Sequence, residues 1–375
     1  VATNRSRESI AGTMEFSQQL STTPRSDEER AAVLANPGFG NHFTDHTAVI
    51  DWNHTSDGGR WSNARIEAYG PISLDPAASV LHYGQEIFEG LKAYRHADGT
   101  VWTFRPEANA ERFNASARRL ALPELPVEAF VTSLKELVAA DRAWVPSGDG
   151  EALYLRPFMI ATEAFLGVRP AREVSYRLIA SPAGNYFGGE LKPVSIWLAT
   201  KYARAGRGGT GEAKCGGNYA ASLAAQLEAE ENGCQQVLFL DPFNDNAVEE
   251  LGGMNVFFVM ADGTVVTPAL NGNILHGITR ASVIQLLKDR GLKVEERKFT
   301  LDEWRRAAEN GQLREVFACG TAAVITPIGL LKTTEGDIAS PALPQESLTL
   351  SIREQLLGIQ TGAVADQHGW LTRLA

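Results

Sequence analysis

The chain has 375 residues, with 35 Lys plus Arg against 45 Asp plus Glu and a formal net charge of -10. An acidic balance of this size argues against nucleic acid as a partner, and 44% apolar with 21% charged residues excludes wholesale disorder. The three cysteines, Cys215, Cys234 and Cys319, lack C-x-x-C spacing, which argues against a disulfide framework or a zinc site and favours a reducing compartment.

In chain order, residues 1–35 mix Arg5, Arg7 and Arg25 with Glu8, Glu15, Asp27, Glu28 and Glu29 and are weakly periodic, so a loosely ordered arm is expected. They contain no apolar leader, and runs such as 256–261 fall far short of the roughly 18 residues a membrane span needs. The expected location is the cytoplasm, with no membrane partner. Strands are expected over 47–52 and 65–69, then a hairpin in which 92–95 and 101–104 flank the Asp98-Gly99 turn. Pro106 opens a helix predicted to reach 120, since proline at a first helical position sacrifices no hydrogen bond, and 127–144 is a second amphipathic stretch.

Two β-branched and aromatic runs, 174–180 and 194–200, are separated by a Pro/Gly-rich stretch over 181–193 that reads as a linker. It divides a smaller domain at 36–180 from a larger one at 194–375. The larger one is predicted to hold a helix over 219–231, a strand over 236–240 and a hairpin around Asp262-Gly263. A helix over 280–290, strands near Val294 and Val316 and a helix from Leu348 follow. Interleaved hairpins and helices predict a mixed α/β (α+β) fold of two domains rather than one parallel sheet.

Between 206 and 219 the chain packs six glycines around a single lysine, Lys214, at a strand-to-helix turn. Gly206, Gly208 and Gly211 satisfy G-x-G-x-x-G, which raises a nicotinamide-dependent oxidoreductase as an alternative. The following helix begins too late for a pyrophosphate to meet its N-terminus. A Walker loop fails because Ala213 and Cys215 flank Lys214. A loop lysine is ordinarily solvated. Flanked by small residues, however, it can reach inward, and a desolvated ammonium loses its proton readily, which suits Schiff-base chemistry. His42 and His46 have the i, i+4 spacing of zinc helices, yet Phe43 replaces the glutamate and the segment reads as strand or loop, so no metal is expected.

The segments Lys214-Cys-Gly-Gly-Asn-Tyr219, Glu250-Leu-Gly-Gly-Met-Asn255, Gly277-Ile-Thr-Arg280, Gly320-Thr-Ala322, Phe43-Thr-Asp-His46, His82-Tyr-Gly-Gln-Glu-Ile-Phe-Glu-Gly-Leu-Lys-Ala-Tyr94 and Tyr154-Leu-Arg156 resemble the branched-chain amino acid aminotransferases. They follow that family's order from about Phe39 to the C-terminal helix. The resemblance implies a fold type IV pyridoxal 5'-phosphate enzyme, with a small N-terminal α/β domain and a larger domain built on a pseudo-barrel of mixed strands. It implies a homodimer whose partner loop closes the pocket. The reaction it implies is reversible, ping-pong transfer of the amino group of leucine, isoleucine or valine to 2-oxoglutarate, giving branched 2-oxo acids and glutamate. D-amino acid aminotransferases and aminodeoxychorismate lyases share the lysine and the glutamate, and a non-catalytic binding protein on the same fold is a further alternative.

By resemblance, Lys214 holds the cofactor as a Schiff base and then moves the Cα proton. Glu250 faces the pyridine nitrogen and Tyr219 the ring oxygen. Arg112, Ile278, Thr279 and Thr321 hold the phosphate, the middle two as a helix start with free N–H groups. Phe39, Tyr83, Phe88, Tyr154, Arg156 and Tyr186 line the substrate pocket, and Ala322 gives a backbone N–H to the α-carboxylate. Tyr154 and Arg156 lie two apart on a strand and so share a face. Two positions depart from the family. Mammalian members carry a redox-active C-x-x-C where this chain has Ala323-Val-Ile-Thr326, so that thiol switch is expected to be absent. Gly253 stands where many members have threonine, which removes any side-chain contact there.

Overall fold

In the computed structural model, which describes residues 14–184 and 191–375, two nine-stranded sheets carry the fold. The first runs Ser17–Gln19, Gly58–Ala68, His46–Thr55, Glu173–Ala183, Ala152–Ala161, Leu91–Arg95, Val101–Phe104 and Leu371–Arg373 in spatial order. Strand Glu86–Phe88 pairs beside them with Ala152–Ala161. The central pairs are antiparallel, so alternate side chains enter one face. Helices Pro106–Arg119 and Val127–Ala140 supply Phe113, Phe130 and Leu134 to the core there, against Ile50, Tyr176 and Leu178. The first of these helices starts on its proline and ends on Arg118 and Arg119, which complement the dipole of its last turn. The second buries Phe130, Val131, Leu134, Leu137 and Val138, the i, i+3, i+4 stripe of an amphipathic helix.

The second sheet runs Ala247–Leu251, Gln236–Asp241, Val194–Leu198, Val324–Lys332, Leu313–Gly320, Asn255–Met260, Val265–Thr267 and Val294–Glu296, with Ile338–Ala339 beside Val324–Lys332. It mixes parallel pairs around Val194–Leu198 with antiparallel hairpins, as a mixed α/β fold requires. Phe258 stacks on Phe299 at 4.1 Å and meets Trp304 edge-on, forming a core on one face. On the other, Phe257 and Phe317 stack against helices Ile278–Asp289 and Leu348–Thr361.

Strand Glu173–Ala183 belongs to the first sheet and Val194–Leu198 to the second, so residues 181–183, expected as linker, are strand. Two further features differ from the sequence reading. Much of the N-terminal arm is held: Ser17–Gln19 pairs in parallel with residues 65–67, and Asp27–Leu34 is a helix with a Ser26/Glu29 capping box. None of that helix's residues is fully buried, so it left no apolar stripe to read. Met14, Phe16 and Val33 pack on the first core, and Ser21 N–H donates to Nε2 of buried His46, whose Nδ1 lies 2.6 Å from Asp141. At the other end the chain returns to the first sheet, where Leu371–Arg373 pairs with Val101–Phe104. A three-residue strand carries too little alternation to be seen in sequence.

Candidate active site

Lys214 precedes helix Gly216–Glu231, and its backbone is fixed from the first sheet's side. Its N–H donates to Ser116 Oγ at 2.9 Å, and its carbonyl accepts from Phe88 N–H at 3.0 Å. Glu86 accepts from Gly216 N–H and so caps the helix that follows. A Cβ on Gly211 would stand 2.3 Å from the Asn273 carbonyl oxygen, so this glycine permits two loops to touch. Arg204 donates to the carbonyls of both residues. Gly211 thus serves packing, Gly208 supplies a positive φ of 73°, and with the helix starting only at Gly216 a dinucleotide site is not favoured.

The lysine side chain enters a cavity of about 220 Å³ lined from both sheets. Nζ lies 2.7 Å from the Tyr219 hydroxyl and 4.7 Å from the centre of the Phe88 ring. Glu250 and Gly253 stand on the same cavity, whereas Glu249 does not line it and instead accepts from Asn273 Nδ2 at 2.7 Å. Glu250 accepts from Leu275 N–H at 2.7 Å and from Asn255 Nδ2 at 3.2 Å, and the Arg204 guanidinium lies 3.1 Å away. Burial nevertheless dominates and pushes its carboxyl up to about 7, against the pull of Arg204 and Lys214.

An anion-binding end lies on the same cavity. Helix Ile278–Asp289 has no side-chain cap at Gly277 and no acidic residue in its first turn, which leaves its first N–H groups and dipole to an anion. A Cβ on Gly277 would stand 1.9 Å from Asn255 Oδ1, so a larger residue here would have to displace the amide that holds Glu250. Thr279, Thr321 and Arg112 also line the cavity. Arg112 is held by a two-pronged pair with the fully buried Glu89, at 2.7 and 2.8 Å, and donates to the His276 carbonyl at 3.0 Å.

At the opposite end Phe39, Phe88, Tyr154 and Arg156 converge. Phe39 meets Tyr154 edge-on at 5.1 Å, and the Arg156 guanidinium lies over Phe88 at 4.7 Å and over Tyr154 at 5.3 Å. Arg156 Nη2 donates to the Tyr154 hydroxyl at 3.1 Å, while Nε is buried without a hydrogen-bond partner among the described residues. Gly320, Thr321 and Ala322 complete the lining. Tyr83 is not brought to the cavity: it stays exposed, its hydroxyl donating to the Leu166 carbonyl. Tyr186 lies outside the described residues.

Sequence reasoning passed over Glu89, Arg204, Asn255 and Glu86, which hold the site residues in place. Glu89 had a legible signal, an acid inside the otherwise apolar run around Phe88 and Leu91. Arg204 had none, because the chain distance from Arg204 to Glu250 hides their contact. A larger cavity of about 610 Å³ lies behind Ala322 and contains neither Lys214 nor Glu250, so the chemistry belongs to the smaller one.

The donor set fits pyridoxal 5'-phosphate: an amine for its aldehyde, a dry carboxylate for its ring nitrogen, a phenol, and an uncapped helix start with a buried arginine for its phosphate. The amino-transferase class IV family model matches residues 86–331. The branched-chain-amino-acid aminotransferase of Mycolicibacterium smegmatis is 56% identical over 97% of this chain and 99% of its own. That of Mycobacterium tuberculosis is 53% identical over the same shares. The solved branched-chain amino acid aminotransferase of Escherichia coli superposes with a TM-score of 0.68 at 25% identity, covering 87% of this chain and 99% of that one. The enzyme of the same name from Thermobaculum terrenum, solved in its PLP-bound holo-form, gives 0.71 at 25% identity over 88% of this chain and 100% of that one. The chain belongs to the class IV aminotransferases and, within them, to the branched-chain-amino-acid aminotransferase family.

Proposed function

We propose that the chain moves the amino group of leucine, isoleucine or valine to 2-oxoglutarate and back, in two half-reactions on one cavity. The observation that carries this is the meeting of Lys214, Glu250 and the uncapped helix start with the Tyr154/Arg156 face of the other sheet. Bound at Lys214, pyridoxal phosphate supplies an electron sink for the substrate's Cα. Lys214 carries the proton to and from Cα, with the Tyr219 hydroxyl 2.7 Å from its nitrogen to accept the hydrogen bond of the amine. Glu250 contributes negative charge in a dry place, and Arg204 and Asn255 fix its direction. Ile278, Thr279, Thr321 and Arg112 anchor the phosphate, and Ala322 N–H takes the α-carboxylate. Phe39, Phe88 and Tyr154 exclude water around a branched side chain.

Two copies are the working unit. Helix Gly216–Glu231, which starts beside Lys214, presents Leu223 and Leu227, each 62% exposed, and Leu81, Tyr83, Leu166 and Val168 form further exposed apolar surface. A partner covering these would bring Tyr83 into play as a pocket residue. We place the enzyme in the cytoplasm, where the three buried, unpaired thiols stay reduced.

The test is the absorption spectrum of the purified protein. A yellow chromophore that shifts on adding leucine supports the reading, and borohydride should then fix the cofactor to Lys214 in peptide mapping. A protein that gains no chromophore from added pyridoxal phosphate, or a label on Lys92 or Lys201, would overturn it.

A further inference from the structure

Lys92, on strand Leu91–Arg95, is only 8% exposed, and no acid of the described residues is among the groups acting on it. Its Nζ donates to the Ala322 carbonyl at 2.7 Å, and burial pushes the ammonium down to about 8, so it is largely charged at pH 7. Burying a cation away from a carboxylate is unfavourable, which makes its backbone acceptor informative.

Ala322 sits in the turn between strands Leu313–Gly320 and Val324–Lys332, and it alone of the described residues lines both the catalytic cavity and the larger cavity behind. Two residues on, Val324 has a φ of 61°, in the left-handed region that a β-branched residue rarely adopts. Such a conformation persists only where the surroundings fix it. Two cations that line the rear cavity, from separate elements, bond carbonyls on either side of Val324. Lys92 grips the carbonyl of Ala322, and Arg353, on helix Leu348–Thr361, donates from Nε to the carbonyl of Ile325 at 3.1 Å.

We propose that Lys92 is a positioning residue for the substrate: with Arg353 it clamps this strained turn from behind, so that the turn's backbone donors meet the α-carboxylate. The inference rests on the reading that Ala322 N–H binds that carboxylate. Both cations bond backbone carbonyls, Lys92 in the turn and Arg353 at the start of the strand that follows it, and both line the rear cavity rather than the catalytic one.

The test titrates the holoenzyme at pH 7 with 4-methylvaleric acid, which has leucine's side chain and carboxylate but no amino group, and with its neutral amide. In Lys92→Met the acid's Kd should rise roughly tenfold, the scale of one well-placed hydrogen bond, while the amide's stays within about twofold. Lys92→Arg should restore most of the loss, and KM for leucine should rise in Lys92→Met more than kcat falls. Arg353→Met, a change at a partly exposed position, should give a smaller loss of the same acid-selective kind, so the clamp stays testable if the lysine variant fails to fold. Equal weakening of acid and amide, or no change in either, would overturn the inference alone. A wild-type enzyme indifferent to the charge would overturn the Ala322 reading and the inference with it.

Discussion

The Arg204 guanidinium stands 3.1 Å from the Glu250 carboxylate, and both side chains are 3% exposed. One arginine shared with two carbonyls does not balance that carboxylate, because burial still pushes Glu250 up to about 7. The carboxylate would therefore gain from one more cation on the cavity side, the role proposed for a protonated ring nitrogen. Glu250→Gln should keep the cofactor bound but slow Cα deprotonation by roughly two powers of ten or more, as for an ion pair lost in a dry site. Glu249→Gln, whose carboxylate faces Asn273, should stay within a few-fold of wild type. Single-turnover rates with leucine measure both, and the reverse ranking would mean that Glu249 carries the role.

The same imbalance sets a pH dependence of stability for the cofactor-free protein. A carboxyl held at about 7 when folded, against its ordinary value of 4.5, binds more protons folded than unfolded between those two pH values. Stability from this group is thus full below about pH 4.5 and is lost as pH rises through about 7, by up to roughly 3 kcal/mol. Urea unfolding of the apoprotein at pH 5 and pH 8 should show that fall in wild type and a smaller one in Glu250→Gln. Cofactor loading should also reduce it. A midpoint that rises with pH to the same extent in both proteins would contradict the assignment.

Much of this was legible because it follows from local pattern. The Asp98-Gly99 hairpin, the helix opened by Pro106 and the glycines around Lys214 are each set by a few adjacent residues, and the structure has them near the expected positions. What was illegible depends on contacts distant in sequence. Arg204 reaches Glu250 and Lys92 reaches Ala322, and no periodicity announces such pairs; Glu89 stands out as an acid in an apolar run, but its partner Arg112 does not follow from that. The N-terminal helix was missed for a related reason, since it has no fully buried residue and only the partly buried Val33 packs on the core, too little for an apolar stripe.

Thiol oxidation should leave activity unswitched. Ala323-Val-Ile-Thr326 contains no cysteine, and Cys215, Cys234 and Cys319 are all buried and unpaired. Burial pushes the Cys319 thiol up to about 12, and the thiol, unlike the thiolate, is a poor nucleophile. Peroxide treatment followed by reductant should therefore show no reversible loss of turnover. A mapped Cys215 to Cys319 disulfide that tracks inactivation would count against this.

The last expectation concerns one pocket that must accept both leucine and glutamate, whose side chains differ by a full charge. An apolar pocket would reject the glutamate carboxylate, and a bare buried arginine would penalise leucine. Arg156 meets both demands: its guanidinium lies over the Phe88 and Tyr154 rings and donates to the Tyr154 hydroxyl, so it keeps partners with a neutral ligand present. Arg156 lines the cavity, which puts its guanidinium beside the space a distal carboxylate would enter. Arg156→Gln should weaken the glutamate/2-oxoglutarate half-reaction by about 1.5 to 3 kcal/mol, as for a lost charge-assisted hydrogen bond, and the leucine half-reaction far less. Single-turnover spectra with each amino acid separate the halves. Equal losses would assign Arg156 to the shared α-carboxylate or to the fold, because only a contact with the distal carboxylate distinguishes the two substrates.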